Sequence, residues 1–188
     1  MNFITFNLRM LLLSAVILAV SVIFTASPAR SEPIHIYTSQ GLTFETPVLF
    51  SLPSKLGIDA QSLVFPAQTK PGKESFEIVL VSFSKAALTL QKMTEKDLVD
   101  YVKTTFLGGG NGSGKNKTLR LMGKNIMGEL CETSIPKPSL IEAYPLTLKD
   151  GSKAVIAFKY RKDMDARKAE SIVKKVAETL KESAQSGK

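Results

Sequence analysis

The sequence has one cysteine, one histidine and no tryptophan, and each shortage removes a class of function. With Cys131 alone, no intramolecular disulfide can form, even in an oxidising compartment. With His35 as the only histidine and one distant cysteine, a zinc site of the usual kind cannot be assembled. A serine–histidine–acid triad would have to run through His35, and no G-x-S-x-G elbow accompanies it. Carboxylates are scattered, and no pair is marked by an apolar setting as a general acid and base. Internal repeats and long low-complexity tracts are missing too. No cofactor is expected, and the chain is not expected to be an enzyme.

What is present begins with an apolar run. Met1–Arg9 carries a single charge, Arg9, and Met10–Ala26 is then 17 residues without a charge. Ser27-Pro28-Ala29 follows, with small residues at the two positions a signal peptidase reads. This is the n-region, h-region and cleavage site of a secretory signal peptide, expected to be cleaved after Ala29. The rival reading is an uncleaved anchor, since 17 residues of helix span about 26 Å, the low edge of a membrane crossing. Pro28 and its small neighbours favour cleavage. Either way Arg9 stays inside and the rest is exported, periplasmic in a bacterium or secreted. No Arg-Arg pair precedes the run and no cysteine follows it, which favours the general export route without a lipid anchor.

Residues 30–183 read as one domain and 184–188 as a flexible polar tail. A chain of this length can bury about two-thirds of its unfolded surface, so it needs neither disulfide nor metal to fold. The net charge of +8 falls by one when Arg9 is removed. A moderately basic exported domain can meet anionic lipid, cell-wall polymer or an acidic protein, and nucleic acid is not an expected partner. Cys131 ends the apolar stretch Ile126–Cys131 and reads as a small buried hydrophobe.

Alternation of apolar and polar residues over 34–38 and 42–46, with Gln40-Gly41 between, predicts an opening hairpin. Prolines 47, 53 and 66 and Gly57 break up a loop-rich stretch with one short strand over 62–65. Phe76–Phe83 (FEIVLVSF) is nearly all apolar, the mark of a strand covered on both faces. Thr94 caps a helix whose face carries Leu98, Val102 and Phe106, and a glycine-rich loop (Gly108–Gly114) follows. Strands are predicted over 118–122, 126–133, 141–148 and 153–160, with Asp150-Gly151 as a two-residue hairpin turn. Asp163–Ser183 is the clearest helix, with a stripe of Ala169, Ile172, Val173, Val176 and Leu180. The expected class is α+β, a mainly antiparallel sheet covered by two amphipathic helices.

Three motifs fail on their own chemistry. Gly109–Lys115 (GGNGSGK) has the skeleton of a phosphate loop, but Asn116 replaces the metal-binding Ser/Thr and a strand is predicted after it. No nucleotide is therefore expected, and the loop reads as a connector. The sequons at Asn111 and Asn116 matter only in a eukaryotic secretory pathway. Ser82–Lys85 (SFSK) matches S-x-x-K, yet Ser82 ends a strand and the companion motifs are missing. The best candidate contact surface is the basic cluster Lys115, Lys117, Arg120 and Lys124, running from the loop into the next strand. Thr118 and Arg120 would share its polar face, opposite Leu119 and Leu121.

The opening hairpin Ile34–Thr46 with its Gly41 turn, the segment ETPVLFSLP (Glu45–Pro53), the closing hairpin at Asp150-Gly151 and the final helix together resemble the PsbP-like fold. That resemblance implies an antiparallel sheet covered by helices. It also implies an exported accessory protein rather than an enzyme, some members being associated with photosystem II in thylakoid lumens. The lipid-anchor cysteine of many bacterial relatives is missing here, as are clusters that would hold a metal.

The expected function is a non-catalytic exported accessory or binding protein of the cell envelope, contacting another protein or a membrane complex. The alternative is a module that uses the basic cluster to bind a polyanion or an anionic membrane surface. An enzyme with a site assembled from dispersed residues stands third, and it predicts a deep pocket of convergent polar groups.

Overall fold

A strand that is apolar on both faces has to lie inside a sheet with a layer on each side, and Phe76–Phe83 does so. The computed structural model describes residues 33–56, 60–65, 76–109 and 114–183. The apolar run 10–26, the cleavage position after Ala29, the tail 184–188 and residues 110–113 of the glycine-rich loop lie outside the described residues.

In chain order the elements are β1 (His35–Ser39), β2 (Leu42–Thr46), β3 (Ser54–Lys55), β4 (Ala60–Phe65), β5 (Phe76–Phe83), α1 (Lys85–Gln91) and α2 (Glu95–Phe106). Then come β6 (Lys115–Leu121), β7 (Lys124–Thr133), β8 (Ser139–Thr147), β9 (Lys153–Arg161), α3 (Ala166–Thr179) and β10 (Lys181–Glu182). The class is α+β. One sheet has the order β3-β4-β5-β9-β8-β7-β6, a second has β1-β2-β10, and every pairing is antiparallel.

Alternation divides the large sheet into two cores. Val79, Val81, Ile141, Ala143, Val155 and Ala157 face α2, meeting Leu98, Val99 and Val102. Ile78, Leu80, Tyr144, Leu146, Ile156 and Phe158 face α3 and the β1–β2 hairpin, meeting Ile172, Val176, Leu42 and Phe44.

Capping explains where the helices start. Thr94 Oγ1 accepts from Asp97 N–H (3.2 Å) while Thr94 N–H donates to Asp97 Oδ2 (2.7 Å), a reciprocal box. Asp165 caps α3 by accepting from Arg167 N–H at 2.8 Å.

One element and several boundaries differ from the sequence reading. Three helices are present among the described residues rather than two. The extra one, α1, is a seven-residue helix capped by Ser84 with no buried residue, so it shows no apolar stripe. The last helix spans 166–179, not 163–183, because residues 181–182 pair with the free edge of β2 instead. There Ser183 N–H donates to Gly41 C=O at 2.8 Å, which satisfies groups a longer helix would have left exposed. The closing hairpin turns through three residues, Lys149–Gly151, with Leu148 N–H donating to Ser152 C=O at 3.0 Å and Gly151 at φ +80°. Finally, Lys115 and Asn116 belong to β6, so the glycine-rich connector ends before them.

Among the described residues no helix is long and apolar enough to cross a membrane.

Candidate binding groove

β6 and β7 join through Met122-Gly123, both at positive φ (50° and 77°). Leu121 is paired with Lys124 and Lys117 with Gly128. Alternation then puts Lys115, Lys117, Leu119 and Leu121 on the α3 side of the sheet, and Asn116, Thr118 and Arg120 on the other. Lys124, opposite Leu121, belongs to the α3 side. The four cations of the basic cluster are therefore neighbours in the hairpin but divided between its faces. Arg120 stands apart from the three lysines.

Between β6 and α3 runs a groove of about 790 Å³. Leu119, Leu140, Val173 and Ala177 supply apolar wall. Glu170, Lys174 and Glu178, at i, i+4 and i+8 of α3, form an exposed lip. Of the predicted contact residues, Lys117 and Arg120 line this groove, and Lys115, at the start of β6, does not. Lys124 borders a separate cleft of about 510 Å³ with Asn125, Pro145 and Thr147.

The floor of the groove is a carboxylate the sequence reading missed. Glu142 of β8 is 1% exposed. Its Oε1 accepts from Lys117 Nζ (2.6 Å) and Tyr160 OH (2.5 Å), and its Oε2 from Tyr144 OH (2.8 Å). Gly128 makes this reach possible, since a Cβ there would sit 2.4 Å from Tyr144 Cδ1 and 2.3 Å from the Ala143 carbonyl oxygen. The Tyr144 ring occupies the place of the missing side chain. Burial first, and then the nearby Glu142 charge and hydrogen bond, push both phenols above their ordinary pKa, so they remain proton donors. Both oxygens of Glu142 are thus engaged by these three donors. The only signal for it in the sequence is one acid inside the apolar strand Leu140–Leu146.

A second polar centre lies across the sheet. Lys103 of α2 is fully buried, with Nζ 2.7 Å from Asp100 Oδ1 and also bonded to Glu129 Oε2 of β7. Lys96 Nζ lies 3.0 Å from Asp100 Oδ2 and 3.4 Å from Glu129 Oε1. Cys131 neighbours this cluster, half-buried rather than fully buried, and burial pushes its thiol pKa up. Lys159 closes the end of α2 by donating to the Leu107 carbonyl at 2.7 Å.

The remaining sequence candidates are dispersed. His35 is a half-exposed residue of β1. Ser82 donates to Gln40 Oε1 at 2.8 Å, while Lys85 opens α1. Lys115 sits in a strand, so no helix N-terminus follows the glycine-rich loop. Among the described residues no group of His, Cys, Asp or Glu is placed to hold a metal. At the opposite edge of the large sheet, Leu52 and Leu56 flank β3 and are exposed.

No protein-family model matches the chain, and no curated protein matches it in sequence.

Proposed function

We propose that this is a non-catalytic exported binding protein of the cell envelope, and that the groove between β6 and α3 is where it contacts a protein partner. One observation carries the reading. This groove joins an apolar wall to exposed charge, while the carboxylate buried at its floor is bonded to Tyr144, Tyr160 and Lys117. A groove of that volume falls in the range of ligand sites, and its free chemistry is shape and surface charge. Export is supported by the uncharged run Met10–Ala26 and the Ser27-Pro28-Ala29 site. The PsbP-like outline supports an accessory role, and the arrangement of helices on both faces of an antiparallel sheet is compatible with it. No cofactor, nucleotide or nucleic acid is needed.

Site-specific photocrosslinking in intact producing cells tests this. A photoreactive residue at Glu170 or Thr118 is expected to trap one envelope protein, and one at Leu90, exposed on α1, to trap none. Adducts formed equally from Leu90 would overturn the groove. Adducts of lipid or cell-wall polymer alone, lost between low and physiological salt, would replace the protein partner with the polyanion reading. The mass of the recovered protein reports its N-terminus, and a start at Met1 would overturn cleavage after Ala29.

A further inference from the structure

The groove meets β6 edge-on, and the hydrogen-bond parity of the hairpin shows what it meets there. In a two-residue hairpin with both turn residues at positive φ, the flanking pair, here Leu121 and Lys124, exchanges both backbone bonds. Bonded and non-bonded pairs then alternate, so residues 115, 117, 119 and 121 spend their N–H and C=O on β7. The backbone groups of Asn116, Thr118 and Arg120 point the other way, out of the sheet. β6 is the last strand of its sheet, and among the described residues nothing pairs with that outer edge. Thr118 and Arg120 line the groove although their side chains belong to the far face, as residues do when a cavity borders a strand edge.

Resting on the groove reading above, we infer that the partner enters as an extended segment that pairs with the outer edge of β6, with acidic and apolar residues in alternation. Strand addition of this kind takes its affinity from the backbone and its selectivity from alternate side chains. Three features define the segment. Its residue opposite Leu119 turns toward α3 and meets Val173 and Ala177, so it is apolar. Its residues opposite Thr118 and Arg120 turn to the far face, away from Glu170 and Glu178, where Arg120 awaits an acid. β6 itself (KNKTLRL) holds three cations and no acid. Lysine and arginine on an edge strand repel a second copy of the same edge. Of those three cations, Arg120 is the one on the far face, and it favours an acid opposite it, while Lys115 and Lys117 lie on the α3 side and Lys117 is held by Glu142.

The probe is a capped, fluorescent heptapeptide alternating glutamate and valine, with a lysine–valine counterpart and an N-methylated form whose alternate amides cannot donate. With the purified protein, the glutamate peptide is expected to bind at least tenfold tighter than either control. It should also slow hydrogen exchange at the amides of Asn116, Thr118 and Arg120. Thr118→Pro removes an outward N–H while leaving the bonds to β7, so binding should fall at least tenfold with the unfolding midpoint retained. If that variant does not fold, the N-methylated peptide makes the same test on wild-type protein.

Equal binding of the N-methylated peptide, or protection away from β6, would overturn strand pairing. No peptide binding while Glu170 still crosslinks a partner would overturn the inference and leave the groove. A dimer that the peptide displaces from β6 would replace the acidic partner with a second copy. Loss of both peptide binding and crosslinking would remove the groove reading as well.

Discussion

The two faces of the large sheet each bury a charged centre, and they are built in opposite ways. On the α2 side the buried group is a cation, Lys103, held by Asp100 and Glu129, whose side chains are 34% and 15% exposed. On the α3 side the buried group is a carboxylate, Glu142, held by two phenols and by Lys117, whose side chain is 41% exposed. The difference teaches where damage is expensive. A partner at the periphery can return to water when its neighbour is lost, but the group at the centre cannot. It also separates roles. The α2-side cluster is closed in by its helix, whereas the α3-side cluster opens into the groove and presents Lys117 there.

The harshest way to break the comparison is Gly128→Ala, because the α3-side centre is built around the side chain missing there. Its Cβ would collide with the Ala143 carbonyl oxygen and the Tyr144 ring. A loss of more than about 3 kcal/mol is expected in urea unfolding, at the upper end of overpacking costs. A loss under about 1 kcal/mol would show that Tyr144 can leave without consequence for the sheet.

Next comes a test of centre against periphery. Glu129→Leu strands buried Lys103 on Asp100 alone and should cost about 2 to 3 kcal/mol. Lys103→Met leaves Glu129 and Asp100 near Lys96 and water and should cost about 1 kcal/mol. The reverse order in chemical unfolding would refute the argument.

The smallest effects, and the sharpest division, are expected from pH. Partial burial raises the carboxyl pKa values of Asp100 and Glu129, but hydrogen bonds and charge from Lys103 outweigh it and hold both below their ordinary 3.8 and 4.5. Their contribution is present above about pH 4.5 and is lost as pH falls through the folded values. The phenols of Tyr144 and Tyr160 are raised above their ordinary 10.0, chiefly by burial. Their contribution is present below about pH 10 and is lost as pH rises beyond it. Lys103, held above its ordinary 10.5 by the acids despite burial, also weakens in strong base. Glu129→Gln should therefore flatten the acid limb of unfolding free energy against pH, and Tyr160→Phe the alkaline limb above pH 10. Equal effects of either variant on both limbs would contradict the assignment.

Much of the fold was legible in local pattern. The unbroken apolar run of β5 announced two covered faces, and Val79 and Val81 do lie on one core with Ile78 and Leu80 on the other. Thr94 and Asp97 announced the start of α2. Helix α1 was not legible, because a short helix without a buried face leaves no period to read. The end of α3 was not legible either, because helix propensity continues past Thr179 while the edge of β2 takes the backbone instead. The basic cluster was visible as composition, and its placement on the hairpin formed by the last two strands of the sheet was not. Glu142, Tyr144 and Tyr160 were invisible as a set, since they converge only through the pairing of β8 with β9.

By itself the sequence determined the periods of the strands and helices, the caps that start them, the exclusion of an intramolecular disulfide and the usual Cys/His zinc chemistry, and the expectation of export. These are properties of neighbours along the chain, where spacing and residue type set geometry directly. Only the tertiary structure decided which strand edge was left open, which cation was neutralised and which stayed at the surface, and where a glycine was obligatory. Those outcomes depend on partners far apart in sequence, chosen by register and burial.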